Sequence, residues 1–228
     1  MELKIDIIYL LREKLMSEIQ KDLFDKGDFK KIDRNFIEEG LNALKQLSRV
    51  QDKFNKTDTD SFINELRDSI VGEILGYHEV NLYKHGFDCK SYHGKFLEVK
   101  NASFSAQSWQ ATFNDTTYEK AEAFKSNNLY LALAVWDKAA DLLMIVYGKN
   151  SEIGTYLEKK IDDFKNGKTV RSTQSINMTS LIRNYGFKIV TKDLAKTQVH
   201  QLIREKSPIL GKSISPDNIF FPDELIDE

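Results

Sequence analysis

The sequence predicts an α/β protein in which a central mixed sheet is flanked by helices and preceded by a helical N-terminal region. Three observations carry that expectation. Over the first eighty residues, apolar side chains recur at the three- and four-residue spacing of amphipathic helices. After Gly86 the pattern changes to short apolar runs bounded by turns, alternating with further helical stretches. With 228 residues the chain buries one substantial core, with room for a small helical addition but not for two large domains.

Ile5, Ile8, Leu11, Leu15 and Ile19 mark a first helix, and Phe36, Leu41, Leu44 and Leu47 a second. A third, with Asp58 or Asp60 as its cap, carries Phe62, Leu66, Ile70, Ile74 and Leu75. Turn residues at 26–33 and 55–59 separate them, so residues 1–60 form a helical N-terminal region and 61–228 the main body. Segments 87–90 and 95–100 flank a turn at 91–94 and read as a strand pair. LYLALAVW at 129–136 is apolar throughout, as a buried strand must be, and 142–147 follows it across the charged turn DKAAD. Between these pairs lie a polar stretch, 101–117, and a helix, 118–125.

The segment SEIGTYLEKKIDDFK predicts a helix capped by Ser151 and interrupted by Gly167. A basic extended segment follows, then a helical MTSLIRNYG with Gly186 at its end, a short FKIV strand and a helix in DLAKTQVHQLIREK. The ending FFPDELIDE is apolar and then acidic, which suits a segment that folds back onto the domain.

Composition narrows the function classes. At 41% hydrophobic and 30% charged residues, with 3 prolines, the chain is a folded protein and not a disordered one. The charges interrupting MELKIDIIYLLREK exclude an export signal there, LYLALAVW is too short to cross a bilayer, and a cytoplasmic protein is the expectation. Cys89, the one cysteine, has no partner for a disulfide or for a CxxC zinc framework. Net charge is −2, yet its distribution is uneven: residues 1–80 carry 13 Lys and Arg against 17 Asp and Glu, whereas 164–212 carry ten against two. NGKTV at 166–170 lacks Walker spacing and no GxSxG elbow occurs, so nucleotide-hydrolysing and serine-esterase chemistries have no support.

Chemistry concentrates in FLEVK. Glu98 and Lys100, two apart in a strand, share one face while Leu97 and Val99 take the other. Asp88 comes ten residues earlier across the turn, so strand pairing brings a second carboxylate to the same strand. Two carboxylates and an ammonium suit phosphodiester hydrolysis: hard oxygens hold Mg²⁺, and the lysine orients or helps deprotonate the attacking water. A second E-x-K, Glu158 with Lys160 in YLEKK, sits in a helical context and reads as solvated charge. His85, Cys89 and His93 are spaced by four, but Gly86 and Gly94 argue against the helix a zinc site would need, and Cys89 belongs in the core.

The run GEILGYHEVNLYKHGFDCKSYHGKFLEVKNAS resembles the core of the restriction-endonuclease-like PD-(D/E)xK nucleases, in which a helix bearing a glutamate precedes an acidic residue and an E-x-K strand. The resemblance covers about residues 65–147, with Phe87 where the family usually has proline. It implies that fold's central mixed sheet, Mg²⁺ as cofactor, metal-ligand roles for Asp88 and Glu98, the catalytic lysine role for Lys100 and the helix-glutamate role for Glu73, with Glu65 and Glu79 as alternatives.

DNA contacts are expected in the positive segment. Lys168, Arg171, Gln174, Asn177, Arg183 and Asn184 combine phosphate-neutralising charge with the side chains that read guanine and adenine edges. The loop SFSAQSWQATFNDTT competes for that role through Gln107 and Gln110, while Trp109 either stacks on a base or packs internally. The expectation is therefore a type II restriction endonuclease cutting double-stranded DNA at a short palindromic site as a homodimer, with residues 1–60 as the dimerisation or DNA-binding element. Its rivals are a repair or junction-resolving nuclease of the same fold and a non-catalytic DNA-binding protein.

Overall fold

A computed structural model of the chain describes residues 34–54, 61–79, 87–114, 116–126, 128–138, 140–168 and 173–225. The helix expected over 5–19 lies outside the described residues. Helix α1, Arg34–Phe54, lays Ile37 and Leu44 against Ile63, Leu66, Ile70 and Val71 of α2, Ser61–Ile74, so the two share one apolar stripe. Gly76 ends α2 at φ +78°, a left-handed turn that glycine adopts without strain. The chain then enters a seven-stranded mixed sheet.

In chain order the strands are β1, Tyr77–Glu79; β2, Cys89–Ser91; β3, Phe96–Ser103; β4, Gln110–Phe113; β5, Leu129–Asp137; β6, Asp141–Gly148; β7, Gln174–Asn177; β8, Lys188–Val190; and β9, Ile219–Phe220. Seven of them form one sheet in the order β1-β2-β3-β5-β6-β8-β9, while β4 and β7 pair separately. The predicted strand pairs form: β2 runs antiparallel to β3 with Cys89 opposite Leu97, and β5 antiparallel to β6. At the centre β3 and β5 are parallel, with Glu98 beside Leu131 and Lys100 beside Leu133. The C-terminal segment does fold back, as edge strand β9 parallel to β8.

The remaining helices are α3, Tyr118–Lys125; α4, Glu152–Lys165; α5, Met178–Arg183; α6, Lys196–Lys206; and α7, Pro208–Ser213. Alternation in β5 divides the core. Leu129, Leu131, Leu133 and Val135 face Ala121 and Phe124 of α3, Ile153 and Leu157 of α4, and Val199 and Ile203 of α6. Tyr130, Ala132, Ala134 and Trp136 face α1 and α2. Both faces of β5 are thus covered, which is why its sequence is apolar without interruption; burying each leucine contributes roughly 1.5–3 kcal/mol.

Ser151 precedes α4 but its side chain makes no cap bond; Asn150 Oδ1 accepts from the Glu152 N–H at 2.9 Å instead. Gly154 lets α4 cross α3 closely, since a Cβ there would lie 2.4 Å from the Ala121 carbonyl oxygen. Among the described residues no helix is long and apolar enough to cross a membrane.

Candidate active site

The site forms where the β2–β3 ladder ends. β2 pairs with β3 only as far as Leu97, and Asp88, the residue before β2, continues the edge by other means. Its N–H donates to the Leu97 carbonyl at 2.9 Å, and its Oδ2 accepts from the Val99 N–H at 2.7 Å. A short carboxylate here replaces the missing strand as acceptor and is thereby held beside Glu98.

Glu98 projects from β3 toward α3 and is 2% exposed. Its Oε1 accepts from Lys100 Nζ and from Lys120 Nζ, each at 2.5 Å. Burial by itself would raise the Glu98 pKa, but the two ammonium groups outweigh it and hold the carboxyl below its ordinary value. Lys100 shows the converse balance: burial favours the neutral amine, yet Glu98, Asp88 and Asp68 raise its pKa and keep it protonated. Its Nζ lies 5.6 Å from the centre of the Phe113 ring, the last residue of β4.

Beneath the strand, on the α2 side, Asp68 Oδ1 accepts from Asn101 Nδ2 at 2.7 Å, and Asn101 Oδ1 accepts from Trp136 Nε1 at 2.8 Å. The Cys89 thiol, fully buried, donates to the Asp68 carbonyl at 3.7 Å. This chain pins the end of β3 to α2 and β5. Cys89 is thus a core residue, and His93 is exposed in the turn after β2.

Asp88, Glu98 and Lys100 come together as the sequence predicts; Glu73 does not join them. It is exposed five residues beyond Asp68 on α2, bordering a cavity of about 560 Å³ with Tyr77, Tyr130 and Tyr147. Five residues rotate a helical side chain by about 140° and advance it about 7.5 Å, so Asp68 and Glu73 cannot share a face. Among the described side chains of α2, the acid that reaches this end of β3 is Asp68, through Asn101. The side chains of Glu65 and Glu79 lie outside the described residues. Sequence reasoning missed Asp68 and Lys120. Asp68 left one signal, a charge among the buried positions Leu66, Ile70 and Val71; Lys120 left none, because its contact depends on how α3 crosses β3.

The two candidate DNA-reading segments turn out to be one unit. β4 pairs antiparallel with β7, setting Gln110 opposite Asn177, Thr112 opposite Ser175 and Phe113 opposite Gln174. Trp109 resolves to packing: it is 2% exposed, donates from Nε1 to the Phe104 carbonyl, and lies under Lys206, whose ammonium also bonds the Ala106 carbonyl. Asn177 caps α5 by accepting from the Ser180 N–H at 2.8 Å. Gln107 is exposed in the turn after β3, Arg183 and Asn184 are exposed at the end of α5, and Lys168 is exposed after α4, 3.5 Å from Asp163. Arg171 lies outside the described residues.

The sequence matches no protein-family model and no curated protein. Among the described residues no three His, Cys, Asp or Glu side chains cluster closely enough to hold a metal ion by themselves. Mg²⁺ does not require such a trio, since it retains waters and binds through one or two carboxylates together with substrate phosphate. Asp88 and Glu98, both hard oxygen donors anchored on one strand edge, fit that demand.

Proposed function

We propose that the chain is a Mg²⁺-dependent endonuclease of the restriction-endonuclease-like PD-(D/E)xK type, acting on double-stranded DNA. The observation that carries this reading is the placement of Asp88, Glu98 and two lysines on the edge of a central strand, beside a polar ribbon and outside the large cavity.

Asp88 and Glu98 would hold the ion, which supplies stabilisation of charge on the phosphoryl oxygens. The Lys100 ammonium, retained in protonated form by the surrounding carboxylates, orients the attacking water and stabilises the negative charge that develops. Lys120 adds a second positive charge to the same carboxylate from α3. Hydrolysis consumes one water, forms one P–O bond and breaks the P–O bond to the sugar, leaving a phosphate monoester and a hydroxyl.

Sequence-specific cutting at a short palindrome, the type II restriction role, is favoured over repair or junction cleavage by the amide- and hydroxyl-bearing ribbon next to Lys100. Because the described residues carry one such centre and a duplex has two antiparallel backbones, the working assembly is a cytoplasmic homodimer. The test is digestion of mixed-sequence duplex by metal-free protein with and without added Mg²⁺ or Mn²⁺. Discrete, metal-dependent fragments support the reading. Undiminished cutting in chelator, or cutting confined to branched or damaged duplex, counts against it.

A further inference from the structure

We infer that the β4–β7 ribbon is the base-reading element, entering the major groove of duplex DNA with Gln110, Thr112, Ser175 and Asn177 leading. This rests on the proposal that the β3 edge acts on DNA, and it names how that DNA is held and read.

Residues opposite one another in an antiparallel pair share a face, so the register sorts the ribbon without ambiguity. One face presents Ala111, Phe113 and Ile176, all buried in the core, with Gln174 beside Phe113. The other presents Gln110 and Asn177, both exposed, and the half-buried Thr112 and Ser175, whose hydroxyls lie 3.2 Å apart. That outer face carries amides and hydroxyls only. It has nothing to pack against an apolar partner and both kinds of hydrogen-bonding group that base edges demand. A two-stranded ribbon is also narrow enough for the major groove, about 12 Å wide.

Charge points to the same occupant. Strand β7 lies within a strongly basic stretch, ten Lys and Arg against two acids over 164–212, with Lys168 before it and Arg183 after it both exposed. The ribbon is rigidly mounted. The Met178 N–H donates to the Trp109 carbonyl at 2.8 Å, Tyr156 Oη donates to the Ser175 carbonyl at 3.2 Å, and Lys206 holds the preceding turn.

Geometry ties reading to cutting. Phe113, at one end of the ribbon, lies under Lys100, and Gln110 stands three residues away, about 10 Å at strand rise. The base pairs that Gln110 meets are then within about three steps of the cut phosphate. The amides differ in what they can read. Asn177 spends Oδ1 on the α5 cap and offers only its Nδ2 donors, which suits acceptors such as guanine O6 and N7 or thymine O4. Gln110 offers a donor and an acceptor together, which complement the adenine N7 acceptor and N6–H₂ donor.

The experiment uses the full chain and a duplex library randomised over ten central base pairs, read twice: by sequencing duplexes retained without divalent metal and by sequencing ends cut in Mg²⁺. For Gln110→Ala the expected result is at least about a fivefold loss of preference at one position within about three base pairs of the cut. Gln110→Glu, which replaces the amide donor by an acceptor, is expected to move the preference there toward cytosine. A purely structural role for Gln110 would not move the base identity. Cutting with a profile identical in wild type and both variants overturns the ribbon assignment and leaves the nuclease reading intact. A shifted binding profile with no cutting in Mg²⁺ or Mn²⁺ does the reverse, and a wild-type chain that neither retains nor cuts duplex removes both.

Discussion

Glu98 holds a negative charge with almost no access to water, and two lysine ammonium groups at 2.5 Å make that tolerable. Replacing it with Gln keeps the shape but removes the charge proposed to hold the metal, so Mg²⁺-dependent cutting should fall by roughly 10²–10³-fold or more, with duplex affinity largely kept. Lys100→Ala should lower single-turnover cutting by about 10²-fold while duplex retention changes little. Near-normal turnover in either variant would place the chemistry elsewhere. The depressed Glu98 pKa also fixes a direction for stability: its contribution is fully present above the ordinary value of 4.5 and is lost as pH falls through the lower folded-state value. Wild type should therefore lose Tm relative to Glu98→Gln as a melt series is carried below pH 4.5, and parallel curves would show that the carboxylate is not held charged by its neighbours.

Elements position these residues, and α3 is the one most exposed to perturbation because it carries Lys120. Gly154→Ala places a methyl 2.4 Å from the Ala121 carbonyl and 2.9 Å from the Lys125 backbone nitrogen, so α4 must push α3 away. The expected cost is about 1–3 kcal/mol, read as a lower Tm, together with a loss of cutting beyond what the stability change explains. Unchanged Tm would mean that the helices separate freely. On the opposite side of the sheet, Asp68→Ala removes the acceptor that orients Asn101 and, through it, Trp136. Loss of about 1–3 kcal/mol and a shift in the tryptophan emission are expected, and an unmoved spectrum would disconnect α2 from the end of β3.

At the scale of the molecule, a chain of net charge −2 engages a polyanion only if its charges are segregated, as the +8 balance over 164–212 allows. Duplex retention should fall by about 10³-fold or more between 50 and 200 mM salt if some six phosphates are neutralised. A flat salt response would argue that this basic stretch does not meet the backbone. Light scattering with an uncut duplex should report two chains per DNA, while an active one-chain complex that releases or turns on a nicked intermediate would rule out the paired arrangement.

The sequence by itself determined most elements and the central constellation. Periodicity placed α1, α2 and α4, the uninterrupted apolar run placed β5, and FLEVK with Asp88 ten residues earlier brought the three principal side chains to one strand pair, because all of these depend on local spacing. Tertiary structure alone decided what is joined across the chain. The parallel β3–β5 pairing needs the crossover through α3, and the β4–β7 ribbon joins strands that begin 64 residues apart, Gln110 and Gln174, neither distinctive on its own. The same holds for Lys120 against Glu98 and for Asp68 in place of Glu73. Single charges on helices look alike in sequence, and only packing decides which of them turns toward the sheet.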